Sequence, residues 1–170
     1  ISEGGWLGSE LIEGGEDLKF IARRLVILAS EDIGNANPTA LVLANTTFQS
    51  VNIIGYPESR IILSQCVIYL ATSPKSNASY LAIKDAQNIV KQTGDLSVPI
   101  AIRNAPTKLM KELGHGQEYQ YAHDFDNNFV TQEFLPNEIK GTRIYTPGNN
   151  SKENIFKKYL KNLWKDKYGY

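Results

Sequence analysis

The side chains with reactive potential are few. His115 and His123 with Asp124 and Asp126 combine imidazole and carboxylate, a donor set that suits zinc or iron, while Glu112, Glu118, Asp124 and Asp126 lie close in sequence without proximity alone defining an acid–base pair. No H-E-x-x-H pattern orders them, and no thiolate cluster joins them, because Cys66 is the single cysteine. His123 and Asp124 are therefore read as hydrogen-bonding partners of the surrounding backbone. Gly114-His115-Gly116 places two glycines around a histidine after a short helix, but a helix C-terminus repels anions and makes a poor phosphate cradle. No G-x-x-x-x-G-K-[ST] loop, no G-x-G-x-x-G after a strand and no G-x-S-x-G elbow occurs. Cys66 sits amid Leu63, Val67 and Leu70 with no nearby histidine as base, so it reads as a buried structural thiol. No residue is assigned a catalytic, cofactor-binding or metal-binding role.

Charge gives one further lead. Eighteen Lys and Arg balance eighteen Asp and Glu over 170 residues, so net charge does not argue for nucleic acid or an anionic membrane. The balance is local, however: from Ser151 to Tyr170 six lysines face only Glu153 and Asp166. Lys157, Lys158, Lys161 and Lys165 form a basic helix face. Its simplest reading is a solvated surface, and its sharper one is contact with DNA through Lys157, Lys158 and Lys161. A lone cysteine fits a reducing, cytoplasmic setting, and no apolar run approaches the roughly 18 residues of a membrane span. The chain does not open on Met, and Met110 is its one methionine, so it is read as a fragment of a longer parent.

The elements around these residues are helical. Phe20 to Phe48 reads as two apolar helices joined by a turn, with Gly34 past the first helix end, Asn37 as cap and Pro38 at the first position of the second. In the first helix Phe20, Ile21, Leu25, Val26, Leu28 and Ala29 spread around the cylinder. A helix apolar on several faces is covered by core or by another subunit. Pro57 to Thr72 has the same character, through Ile61, Ile62, Leu63, Cys66, Val67, Ile68, Tyr69 and Leu70. Ser76 and Asn77 can cap a helix from Ala78 to Thr93, whose buried side would hold Tyr80, Leu81, Ile83, Ala86, Ile89 and Val90. Leu96 to Ile102 looks extended. Pro106 begins a short helix closed by Gly114. Before all of these, Trp6, Leu7, Leu11 and Ile12 have helical spacing, interrupted by glycines.

Residues 115–150 differ in kind. Six aromatics (Tyr119, Tyr121, Phe125, Phe129, Phe134 and Tyr145) lie among Asp, Asn, Gly and Pro with neither helical nor strand period. This composition predicts a wrapped irregular segment, with a hairpin at most, whose rings plug grooves between helices. Ser151 then caps a last helix with Ile155, Phe156, Tyr159, Leu160, Leu163 and Trp164 as its apolar stripe. The predicted organisation is one all-α domain over residues 1–170: a helical core at 15–114, the wrapped segment at 115–150 and the closing helix at 151–166.

Several long motifs carry a resemblance. RRLVILASEDIGNANP (23–38), PES (57–59), YLATSPKSN (69–77), RNAPTKLMKELGHG (103–116), YQYAHD (119–124) and QEFLP (132–136) occur in this order. Together they resemble the C-terminal domain of the replication-associated recombination protein A family of AAA+ ATPases, also called RarA or MgsA and related to the Werner helicase-interacting protein. The resemblance implies a helical bundle like the C-terminal collar of clamp-loader subunits, which assembles the parent into a homotetramer. It implies a parent that is a DNA-dependent ATPase using ATP and Mg, acting at stalled replication forks near single-stranded DNA-binding protein. The family's ATP-binding residues lie upstream and have no counterpart here. Surplus apolar surface points the same way, towards self-association, with Ile61, Ile62, Tyr69, Arg103, Lys108 and Met110 as interface candidates.

Overall fold

The computed structural model describes Glu10 and residues 13–170, so the expected helical spacing of Trp6, Leu7, Leu11 and Ile12 lies outside the described residues. All regular structure among them is helical and none is strand. The α-helices are α1 (Leu18–Leu28), α2 (Thr39–Ile54), α3 (Ser59–Thr72), α4 (Ala78–Thr93), α5 (Lys108–Glu112) and α6 (Ser151–Trp164). The chain divides into two compact units. The first holds the described residues up to Ile83 with Tyr145–Phe156, the second Lys84–Ile144 with Lys157–Tyr170.

In the first unit α1, α2 and α3 pack on one another. Their contact faces are lined by small residues. Ala22, Ala40 and Ala44 are fully buried, and a methyl group at each lets helix backbones approach closely. Around them Ala29, Ile33, Cys66 and Leu70 form one apolar cluster, and Ile21, Val51 and Leu63 close another with Ala22. Asp17 starts α1 as its cap by accepting the Lys19 amide on its carboxylate at 3.0 Å.

After α1 the chain widens into one π-helical turn, Ala29–Ile33, and then a 3-10 turn, Gly34–Ala36. Gly34 has φ +49°, and a Cβ there would stand 2.9 Å from the Ser76 carbonyl oxygen. The glycine is therefore required by contact as well as by conformation. Asn37 does not cap α2 as its sequence position predicts. Its side-chain amide instead donates to Tyr69 Oη at 3.1 Å and Ser73 Oγ at 3.0 Å, tying the turn to the end of α3. At the far end of α2 Gly55 adopts φ +72° and closes the helix as expected.

The expectation that α3 is covered on several sides fails within this chain. Ser59, Leu63, Cys66 and Leu70 make one buried stripe at helical spacing, whereas Ile61 is 65% exposed and Ile68 also faces outward. α4 departs further. It spans the predicted Ala78–Thr93, and Ser76 Oγ accepts the Ala78 amide, but only Ala78 is buried. Tyr80, Leu81, Ile83 and Val90 of the expected buried side are exposed, and Ala86 and Ile89 are half-buried.

The second unit has little apolar core, and Val130 is its buried hydrophobic residue among those described. Residues 96–99, in the segment that looks extended, have no regular structure, and a 3-10 turn, Ile100–Ile102, ends the segment. α5 starts later than its proline suggests. Thr107, not Pro106, is the cap, with its hydroxyl accepting the Met110 amide at 3.2 Å. Residues 115–144 are irregular with three 3-10 turns. The expectation that their rings plug grooves is corrected here: Tyr119, Tyr121, Phe125 and Phe134 are exposed. Phe129 does find a partner, meeting Trp164 edge-on at 4.9 Å.

Candidate functional site

Three features carry chemistry: a buried carboxylate in the first unit, a latched carboxylate in the second, and apolar side chains left in solvent. Glu153 is completely buried. It occupies the first turn of α6, where Asn150 rather than Ser151 is the cap, its Oδ1 accepting the Glu153 amide at 2.9 Å. The Glu153 carboxylate answers with Oε2 taking the Asn150 amide group and Oε1 taking the Tyr145 hydroxyl at 2.9 Å. Asn-x-x-Glu is thus a reciprocal capping pair, with the helix dipole adding a favourable field. Burial alone would push the carboxyl's pKa up. Hydrogen bonds from Ser76, Asn150, Tyr145 and the Gly148 amide outweigh it and hold the group below the ordinary carboxylate range.

Ser76 is the hub of this arrangement. Its amide donates to the Asp32 carbonyl at 2.8 Å, at the π-helical turn, while its hydroxyl serves Glu153. A Cβ on Gly148 would come within 2.7 Å of Glu153 Oε2 and 3.2 Å of Ser76 Oγ, so the segment before α6 reaches the carboxylate only as glycine. Gly34 and Gly148 both abut this one serine. The arrangement fastens three stretches distant in sequence; every group in it is satisfied by another, leaving no donor for a substrate. The carboxylate also sets the rotation of α6. With Glu153 inward, Phe156, Leu160, Leu163 and Trp164 turn partly inward at helical spacing, and Ile155 and Tyr159 of the predicted stripe are 63% and 60% exposed.

Glu133 is held in another way. Its Oε1 accepts the Phe134 and Leu135 amides at 3.0 and 3.1 Å and the Tyr168 hydroxyl at 2.9 Å. Lys167 Nζ lies 3.4 Å from its Oε2 and donates to the Thr131 and Gln132 carbonyls at 3.2 and 3.3 Å. The same ammonium sits over the rings of Trp164 at 4.9 Å and Tyr168 at 5.3 Å, a cation–π cage. Burial raises the Glu133 pKa, but the Leu135 amide, Tyr168 and Lys167 together bring it below the ordinary range. Tyr168 moves oppositely. Burial first, then its bond to ionised Glu133, pushes the phenol up to about 12.

The remaining reactive candidates are placed as follows. Cys66 is buried, and burial pushes its thiol up with a Thr47 contact only partly opposing, so it is a poor nucleophile. His115 Nδ1 lies 3.4 Å from the Asn104 carbonyl, and His123 Nδ1 lies 3.3 Å from Asn128 Oδ1 with its ring beside Tyr121. The expected backbone contact of His123 is thus a side-chain contact. Among the described residues no group of three or more His, Cys, Asp or Glu is arranged to hold a metal ion.

Of the interface candidates, Ile61 projects into solvent, whereas Ile62 and Tyr69 are half-buried, Tyr69 being engaged by Asn37. Arg103 is half-buried, its Nε donating to the Val98 carbonyl at 2.6 Å. Lys108 is exposed and pairs weakly with Glu112 at 3.9 Å, and Met110 is half-buried. Ile61, Ile62 and Tyr69 belong to the first unit and the other three to the second. Lys157, Lys158 and Lys161 are exposed. Sequence reasoning missed Ser76, Gly148, Glu133 and Lys167 as organising residues. It also missed Glu153, for which the Asn150-x-x-Glu153 spacing was the available signal.

No helix among the described residues is long and apolar enough to cross a membrane. An all-helical domain organised by buried polar ties and bearing uncovered apolar helix faces is the class this fold defines. The chain belongs to the family described as the MgsA AAA+ ATPase C terminal, which it matches over residues 6–164. It is 46% identical over 156 residues to replication-associated recombination protein A of Coxiella burnetii, covering 91% of this chain and 35% of that protein. The protein of the same name from Escherichia coli K12 is 44% identical over 149 residues, 87% of this chain and 33% of the relative. A protein named ATPase WRNIP1 from Dictyostelium discoideum is 41% identical over 136 residues, 79% of this chain and 16% of the relative. The chain thus spans about a third of the length of the first two relatives.

Proposed function

We propose that this chain is the non-catalytic self-association domain of a AAA+ DNA-dependent ATPase of replication-fork maintenance, recombination and repair, and that it builds a homotetramer. In this reading ATP and Mg are bound by the upstream motor of the parent. The parent works in the cytoplasm on DNA near single-stranded DNA-binding protein. One observation carries the assembly part: large apolar side chains stand in solvent on consecutive helices of the first unit. Ile53 at the end of α2 is 84% exposed, and Val42, Ile61, Ile68, Tyr80, Leu81 and Ile83 accompany it. Scattered single exposures need no explanation, but seven large apolar side chains in solvent on three successive helices are what a self-associating surface requires. Multi-angle light scattering on the purified chain tests it, with an oligomer expected; a monomer at high micromolar concentration would refute it.

A second reading is favoured by a separate observation. Lys157, Lys158, Lys161 and Lys165 are exposed on α6 and its end, and none makes an ion pair among the described residues. This face would then dock DNA or an acidic partner. Binding to forked DNA that falls steeply between low and moderate salt supports that reading, and absent or salt-independent binding removes it.

A further inference from the structure

One helix face of the first unit combines exposure, apolar character and a particular order of charge. Phe20, Arg24, Ile27 and Glu31 follow at intervals of four, three and four residues, and all four are exposed. The placement of the last two is independent of helical spacing. The π-helical turn carries Glu31 onto the same groove as Ile27, a depression of about 400 Å³ whose other wall is Leu41, Tyr80 and Ile83. Among the described residues neither Arg24 nor Glu31 has an ion-pair partner within the chain. Glu31 lines the groove and Arg24 lies about one turn before Ile27 on the same helix face, so an unpaired anion and an unpaired cation stand on either side of Ile27, an arrangement complementary to itself when reversed.

Resting on the assembly reading above, we propose that this face binds a second copy of the chain. The two α1 helices run antiparallel about a two-fold axis beside Ile27, with Arg24 of each copy meeting Glu31 of the other. The arithmetic of an isologous contact favours it: residue i meets j, and j meets i, so one favourable pair is always made twice. Arg24 and Glu31 are seven residues apart, about 10 Å along a helix, which leaves room for two Ile27 side chains between the paired charges. Reversal also carries Phe20 of one copy towards the Glu31 end of the other copy's groove, where its exposed ring gains apolar walls. The charges set direction and register, since a parallel approach would place Arg24 on Arg24.

Sedimentation equilibrium on the 170-residue chain tests this through a charge-swap cycle. Arg24→Glu and Glu31→Arg are each expected to weaken self-association on the order of a hundredfold, because each substitution places like charges together twice in the contact. The double swap restores the paired signs and is expected to return the dissociation constant to within about threefold of the starting protein. All three positions in the cycle's face are exposed, and thermal unfolding of each variant reports that the fold persists; Ile27→Ser is the uncharged companion and is expected to weaken association as well. If the starting protein associates and the single swaps leave its dissociation constant unchanged, or the double swap is no tighter than the singles, this face is not the contact. The assembly reading then stands on another surface. A starting protein that stays monomeric at every concentration defeats the assembly reading itself, and this face with it.

Discussion

The first unit fully buries a carboxylate, Glu153, the second half-buries one, Glu133, and the two are stabilised by different physics. Glu153 is surrounded by neutral donors, Ser76, Asn150, Tyr145 and the Gly148 amide, inside a unit that also has an alanine-lined helical core. Glu133 is held by two amides, a phenol and the Lys167 ammonium, in a unit whose apolar core is thin. The comparison teaches that a regular helix stack uses a buried polar cluster to fix the angle and register of its elements. An irregular segment depends on such a cluster to have a shape at all. Losing one alters a fold that other contacts still maintain; losing the other releases residues 129–135 and the end of the chain together.

The largest effect is expected in the core itself. Leu70→Ala empties a fully buried site between α2 and α3 and should cost about 3 kcal/mol in urea unfolding. Glu153→Gln should follow at about 2 kcal/mol, because an amide cannot accept from every donor that the carboxylate satisfies. Its pH signature is specific. The folded carboxyl lies below its unfolded value, so its stabilisation is present above the unfolded pKa and is lost as pH falls through the folded one. An acid-unfolding series should show the starting protein weakening below about pH 4, with Glu153→Gln flatter there.

Tyr168→Phe should cost about 1 kcal/mol and act on the second unit, with hydrogen exchange faster at Phe134 and Leu135 and unchanged within α3. The sign reverses for this group. A phenol raised to about 12 contributes fully below its unfolded pKa of about 10 and loses that contribution as pH climbs from there. The alkaline limb should therefore be present in the starting protein and absent from the Phe variant. The smallest effect is expected at Ser59, whose hydroxyl is fully buried with no hydrogen-bond partner among the described residues. Ser59→Ala should be neutral or slightly stabilising in the same urea assay, since it removes an unsatisfied group from the interior.

Much of the helical frame could be read before any coordinates. The α4 limits, the glycine stop at Gly114 and the irregular character of residues 115–144 all follow from local chemistry. The readings that failed share a cause. Asn37, Ser151 and Pro106 were each placed at a helix start by residue preference, while Asn37 bonds across to Tyr69 and Ser73, and Asn150 and Thr107 supply the caps. The apolar stripe of α6 was misjudged because Ile155 and Tyr159 outrank Glu153 on any hydrophobic scale. No scale records that four donors from elsewhere will meet that carboxylate.

The order of residues alone determined which segments become helices and where glycine ends them, because backbone preference and capping act within a few positions. It determined equally that the long shared motifs place the chain in its family, and that no nucleotide-binding loop is encoded in it. Only the tertiary structure decided which side of each helix is covered, that the Glu153 carboxylate is buried, and that Ile27 and Glu31 line an open apolar groove. Those outcomes depend on groups separated by tens of residues in the chain. A side chain's solvent, dielectric and partners exist only once the chain has folded.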